Sequence, residues 1–252
     1  MRTLVALLFV LVGCSSSSTP ATTEDTGTPS ETGTDAVAEV AVDTGPETDP
    51  DGCVLDPGPA DPGIDPSAYA TFKPADFTLD KALAGFPAGT GTLRARITTQ
   101  SGKIDCKLDP TAAPISVANF IGLARGTRPY KQGTTWMLGR FYDGLKWHRV
   151  VPGFVIQGGD PRGNGTGGPG YSLVDENHVA EPLGTLAMAA STAPSGSQFY
   201  IVVGTGPAAD YNVFGSCDTE TAIAISKLPA DGKAAPITEV NMQRIDIVRC
   251  PK

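Results

Sequence analysis

The stretch Tyr142–Tyr171 constrains the fold of this chain more than any other: Y-D-G-L-K-W-H-R-V-V-P-G-F-V-I-Q-G-G-D-P-R-G-N-G-T-G-G-P-G-Y. Two short apolar runs, Trp147 to Val151 and Phe154 to Gln157, flank a Pro152-Gly153 turn and lead into a glycine-dense loop. Runs of this length around such a dipeptide predict a tight β-hairpin feeding a loop. Arg149 in one run and Gln157 in the other can then flank an apolar surface, an arrangement suited to an extended peptide. Read alone, the same residues also fit a buried hairpin whose Arg149 reaches out to water.

Seen whole, W-H-R-V-V-P-G-F-V-I-Q-G-G-D with N-G-T-G-G-P-G-Y resembles the cyclophilin-type peptidyl-prolyl cis/trans isomerases. The resemblance implies a mainly β fold, a closed antiparallel eight-stranded barrel with two helices, and rotation about X-Pro bonds. Arg149 matches the family's catalytic arginine and Gln157 the glutamine that holds the substrate backbone. Phe154 and Val155 match the pocket floor, with Val155 in place of the commoner Met. Gly165 matches the loop glycine that lets substrate approach. In G-T-L-A-M-A-A-S-T-A-P-S-G-S-Q-F-Y-I, the resemblance puts Ala189, Ala190 and Ser191 on the peptide-binding edge, Gln198 beside it, and Tyr200 where a pocket Phe is usual. Ala209 stands where a Leu is usual, Tyr211 where many members have His, and Ala208 where some carry Trp, so apolar wall is lost on one side.

The rest of the chain supplies strands at short intervals. Leu93–Thr99 and Ile104–Leu108 read as a hairpin, and Gly184–Met188, Phe199–Val203, Val213–Cys217 and Arg244–Cys250 as further strands. Pro114 opens an amphipathic helix through Ala124, and Thr219–Leu228 reads as a second. Phe77–Phe86 could form a short helix, and Gly126–Arg140 reads as a long polar connection containing Trp136. Many short strands with two helices point to an antiparallel barrel.

Ahead of this domain, Arg2 precedes nine apolar residues, Leu4 to Val12, the length of a signal-peptide core and short of a membrane span. Leu11-Val12-Gly13-Cys14 resembles a bacterial lipobox, which implies residues 1–13 as a lipoprotein signal peptide, lipidation of Cys14, and a place in the cell envelope. Ser15 after the cysteine favours the outer membrane by the same resemblance. An ordinary signal peptide with a chance cysteine is the alternative. Residues 14–65 are rich in Ser, Thr, Pro and acids, hold no aromatic residue, and predict a disordered tether, leaving 66–252 as the isomerase domain.

Twelve of the 27 acidic residues lie in that tether, so the net charge of −8 belongs to it and the remainder is slightly basic, too weakly to suggest nucleic acid. Beyond Cys14 the cysteines are Cys53, Cys106, Cys217 and Cys250, which allow three pairings in an exported chain. Cys53–Cys250 with Cys106–Cys217 is preferred, against a buried thiol at Cys106. Their spacing suggests no zinc site, and rotation about an amide calls for no metal, cofactor, nucleophile or proton shuttle. Asp160 and Asp175 read as loop-bonding carboxylates and His148 as structural. The expected partners are proline-containing polypeptides and a membrane, with the chain a monomer. A tethered proline-peptide binding module or holdase with little turnover is the competing function.

Overall fold

The computed structural model describes residues 45–58, 65, 73–208 and 211–252. Eight strands form one antiparallel sheet: β1 (Thr92–Thr99), β2 (Gly102–Leu108), β5 (Arg149–Val151), β6 (Val155–Gly158), β7 (Thr185–Ala190), β8 (Pro194–Val202), β9 (Val213–Cys217) and β10 (Met242–Cys250). Their order is β10-β1-β2-β9-β7-β8-β6-β5. The expected closed barrel is therefore corrected to an open one, because no ladder joins the end strands β5 and β10. A narrow seam links the chain just before β5 to the start of β10: Lys146 bridges Asn241, Trp147 N–H donates to Val240 O at 2.9 Å, and Met242 N–H to Leu145 O at 2.7 Å. β5, at three residues, runs no further along β10; its Val150 N–H donates instead to Ala234 O at 2.7 Å.

The pleat decides what faces inward. Along β1, Leu93, Ala95, Ile97 and Thr99 are buried in strict alternation, while Arg94 and Arg96 turn outward and both bond Asp105 on β2. Helix α2 (Pro114–Arg125) starts with Pro at its first turn and ends at Gly126, whose φ of 83° a side chain would resist. It is wider in its burial than an amphipathic helix, since every residue from Ser116 to Arg125 is buried. Its Phe120 lies 5.2–5.3 Å, ring to ring, from Tyr142, Phe199 and Phe214, which makes an aromatic centre for the core. Helix α3 (Glu220–Ser226) adds Ala222 and Ile225 to the same core, and the short α1 (Leu79–Ala82) adds Ala82.

Two features depart from expectation. Gly126–Arg140 contains a second, two-stranded sheet, β3 (Tyr130–Gln132) and β4 (Thr135–Met137), held to the body by Tyr130 against Phe141 at 4.9 Å and by Lys131 N–H donating to Pro169 O at 2.8 Å. Residues 45–58, assigned by composition to the tether, are folded onto the domain. Val54 exchanges backbone bonds with Arg249 at the outer edge of β10, Cys53 is disulfide-bonded to Cys250, and Asp56 pairs with the fully buried Arg125 at 2.9 Å. Asp49 also bonds Arg96. This strap covers part of an edge strand that would otherwise offer unpaired backbone groups. Cys106–Cys217 is the other disulfide and joins β2 to β9. Cys14 and residues 1–44 lie outside the described residues.

Candidate functional site

The hairpin of β5 and β6 sets Arg149 directly across from Gln157, and β6 in turn sets Gln157 across from Tyr200 on β8. Ala187 on β7 lies next to Tyr200, and Val213 on β9 next to Ala187, so one row of residues crosses the outside of the sheet. Gly153 holds φ 73° in the turn between β5 and β6, which glycine adopts without the clash of a side chain. Strand alternation sends Ile156, Leu186, Met188, Phe199 and Ile201 into the main core. Their neighbours Val155, Ala187, Tyr200 and Val202 form a separate apolar cluster, against which Phe154, Ala189, Tyr211 and Val213 pack.

Over this cluster lies a pocket of about 260 Å³ lined by Arg149, Phe154, Val155, Gln157, Ala189, Ala190, Tyr200, Pro207 and Tyr211. Eight residues singled out in the sequence thus share one wall. The Arg149 guanidinium sits 5.6 Å from the centre of the Phe154 ring, and Tyr211 packs edge-on to Tyr200 at 5.5 Å. Gly165, Ser191 and Gln198 do not line this pocket. They line a larger, adjoining recess of about 810 Å³. The boundary between the two is a hydrogen bond at 3.0 Å from Gln157 Nε2 to Gln198 Oε1, and Gln198 Nε2 is itself tied to Gly165 O at 3.1 Å and Gly167 O at 2.8 Å. Ala209 lies outside the described residues.

Asp160 builds the glycine loop beside the site. It accepts backbone N–H bonds from Arg162 at 2.7 Å, Asn164 at 3.0 Å and Gly165. Burial pushes its carboxyl up, but those donors outweigh burial and hold it below the usual range. Gly167 comes so close that a Cβ there would strike Asp160 Oδ1 at 2.0 Å. His148 is buried, and neither ring nitrogen has a hydrogen-bond partner among the described residues. Burial pushes its pKa down, Asp160 opposes, and the positive charges of Arg149 and Lys146 add to the lowering. The ring is therefore neutral near pH 7 and fits a structural position.

Tyr200 gives the pocket floor a polar attachment that the sequence did not reveal. Its hydroxyl donates to Glu181 Oε2, and burial together with that carboxylate raises its pKa far above the ordinary tyrosine value. Glu181 and Pro207 carry no local signal; each enters the site by way of a loop that only the folded sheet brings near. Among the described residues no group of His, Cys, Asp and Glu is arranged to hold a metal ion.

An open eight-stranded sheet with a peptide-sized apolar pocket on its outer face, rimmed by an arginine and a glutamine, defines a class that comparison with known proteins identifies. Residues 94–247 match the family described as cyclophilin type peptidyl-prolyl cis-trans isomerase/CLD. The chain belongs to this family. Peptidyl-prolyl cis-trans isomerase A of Mycobacterium tuberculosis is 42% identical over 178 residues, which cover 66% of this chain and 97% of that one. Isomerase B of Streptomyces anulatus is 47% identical over 118 residues, 44% of this chain and 67% of that one. Among solved structures, a Cryptosporidium parvum cyclophilin type isomerase in the presence of the dipeptide Ala-Pro superposes with a TM-score of 0.53 at 29% identity, covering 61% of this chain and 98% of that chain.

Proposed function

We propose that the protein is a peptidyl-prolyl cis/trans isomerase that binds X-Pro segments of polypeptides over the Phe154–Val155–Tyr200 floor and twists them against Arg149. The observation that carries this is the placement of Arg149 opposite Gln157 on the rim of an apolar pocket that lies outside the core. Family membership and the names of the relatives support the activity. The barrier to rotation, about 18–20 kcal/mol, comes from amide resonance. As the prolyl nitrogen turns out of conjugation its lone pair localises, and a guanidinium donor there binds the twisted amide better than the planar one. A charge-assisted bond contributes about 1.5–3 kcal/mol, or roughly 10- to 150-fold in rate. Gln157 completes the grip. Its Nε2 is engaged by Gln198, which fixes the amide and leaves Oε1 to accept a substrate backbone N–H. Phe154 packs under the guanidinium and restricts its position.

The remaining sequence readings join this proposal. Processing before Cys14 and lipidation of its sulfur attach the protein to the cell envelope, at the outer membrane, where it acts as a monomer on exported polypeptides. Two disulfides in the folded domain fit an oxidising compartment. The apolar wall lost at Ala208 and Ala209 in the sequence favours the second reading, a binding module with little turnover. Exchange NMR on Ala-Pro peptides with the full chain separates the two: line broadening from accelerated exchange supports an isomerase, and binding without acceleration supports the module. For the anchor, Cys14→Ala is expected to leave the detergent phase, and its retention there contradicts lipidation at this residue.

A further inference from the structure

The floor of the apolar pocket carries one polar group that a proline ring has no use for. Phe154, Val155 and Ala189 have apolar side chains, whereas Tyr200 brings a hydroxyl. Tyr200 is only 4% exposed, and a buried hydroxyl without a partner opposes the seating of an apolar ligand over it. Here the hydroxyl donates to Glu181 Oε2. Burial, reinforced by that carboxylate, raises the tyrosine pKa, so the proton stays on the oxygen and the donor persists across ordinary pH. Rotation of the ring about its long axis leaves this bond in place, while a swing into the pocket breaks it.

Glu181 does not line the pocket and reaches it through Tyr200. Its own position is fixed from two sides. The next residue, Pro182, accepts both the N–H of Thr185 at 3.0 Å and its hydroxyl at 2.7 Å, which closes the turn into β7. On the other side Gly206 packs so closely that a Cβ there would strike Glu181 O at 2.0 Å, and Gly206 directly precedes Pro207 of the pocket wall. Glu181 is itself buried, at 6% exposure, between the floor and that wall.

From this we infer that Glu181 is a positioning residue of the proline site: by holding the Tyr200 hydroxyl beneath the floor, it lets a tyrosine serve as a phenylalanine and present ring carbon to the proline. The inference rests on the proposed isomerase reading and adds to it a residue that touches no substrate. The floor meets the planar and the twisted proline alike, so disturbing it appears in binding rather than in the rotation step. This separates Glu181 from Arg149, whose contribution is to the twisted state.

The test uses the full chain and Ala-Pro peptides, with Kd from titration and kcat and KM from exchange NMR, at a temperature where every variant is folded by its thermal unfolding curve. Glu181→Met fills comparable space and offers no equivalent acceptor. It is expected to raise Kd and KM about five- to fiftyfold, the effect of an unmade hydrogen bond at a buried hydroxyl, with kcat changed less than about threefold. In the Tyr200→Phe background the same substitution is expected to change Kd less than about twofold, because no hydroxyl remains to be held. Glu181→Gln, whose amide oxygen accepts the same donor, is expected to recover most of the affinity. A Kd for Glu181→Met within about twofold of the parent overturns the inference, and so does a weakening that persists undiminished in the Tyr200→Phe background, which marks Glu181 as a general brace of its loop. If Glu181→Met is unfolded at every temperature, the double variant decides: parent-like folding and affinity support the inference, and an unfolded double variant overturns it. If the parent binds peptide without accelerating its exchange, the isomerase reading fails instead, and the Kd comparison still decides Glu181.

Discussion

The two faces of β6, β7 and β8 carry apolar residues in nearly equal measure and do different things with them. Inward, Ile156, Leu186, Met188, Phe199 and Ile201 meet α2 and the aromatic centre and are fully buried. Outward, Val155, Ala187, Tyr200 and Val202 form a small cluster of their own, against which Phe154, Ala189, Tyr211 and Val213 pack. The two sets alternate residue by residue, so one pleated sheet separates a face that holds the fold from a face that binds. An apolar cluster outside the core with a pocket over it is a place where a ligand completes the burial.

Stability measurements test this division, and the largest effects are expected on the inner face. Phe199→Ala removes an aromatic ring from the core centre and is expected to cost about 3–5 kcal/mol in denaturant unfolding. A loss of under about 1 kcal/mol there breaks the distinction between the faces. The strap belongs with the inner face in this respect. Asp56→Ala leaves Arg125 buried without its carboxylate and is expected to cost about 3–5 kcal/mol. A domain started at residue 66 loses Asp56 and Cys53 together, and comparing its unfolding midpoint with one started at residue 45 checks the same point. On the outer face, Tyr200→Phe removes only the bond to the Glu181 carboxylate, with an expected cost of about 1.5–3 kcal/mol and peptide turnover changed less than threefold.

The smallest effect is that of pH. His148 has a folded pKa below its unfolded value of about 6.5, so the unfolded chain takes up the extra proton first as pH falls. Stability contributed by the neutral ring is fully present above about pH 6.5 and is lost as pH drops towards the lowered folded pKa. Because the ring is neutral above that window, kcat/KM should be flat between about pH 7 and 8.5. Thermal unfolding and exchange rates across pH 5–8.5 check both statements, and a bell-shaped rate profile contradicts the structural role of His148.

Much of this was legible in the sequence where the signal is local. The hairpin of Leu93–Thr99 with Ile104–Leu108, the Pro152-Gly153 turn, and Pro114 at the start of α2 each read correctly at short range. What was missed depends on distant partners. The strap is Pro- and Asp-rich, and its anchors Cys53 and Asp56 find Cys250 and Arg125 far along the chain, so composition alone made it tether. The β3–β4 strands have three residues each and no apolar alternation. In the site, the motif residues from Arg149 to Gln157 came together because they share a hairpin. Gly165, Ser191 and Gln198 fell on the far side of the Gln157–Gln198 bond, a divide that no spacing reveals. Closure of the barrel was misread for a similar reason, since pairing of β5 with β10 is a contact between segments far apart in the chain.

The most direct test of the account is peptide isomerisation by the Arg149→Ala variant, measured by exchange NMR beside its thermal unfolding. Arg149 lies on the rim of the outer pocket and outside the core, so the rate should fall at least tenfold while the melting temperature stays within about 2 °C of the parent. A variant that turns over peptide at the parent rate contradicts the mechanism, and one that loses activity only by unfolding contradicts the separation of the two faces.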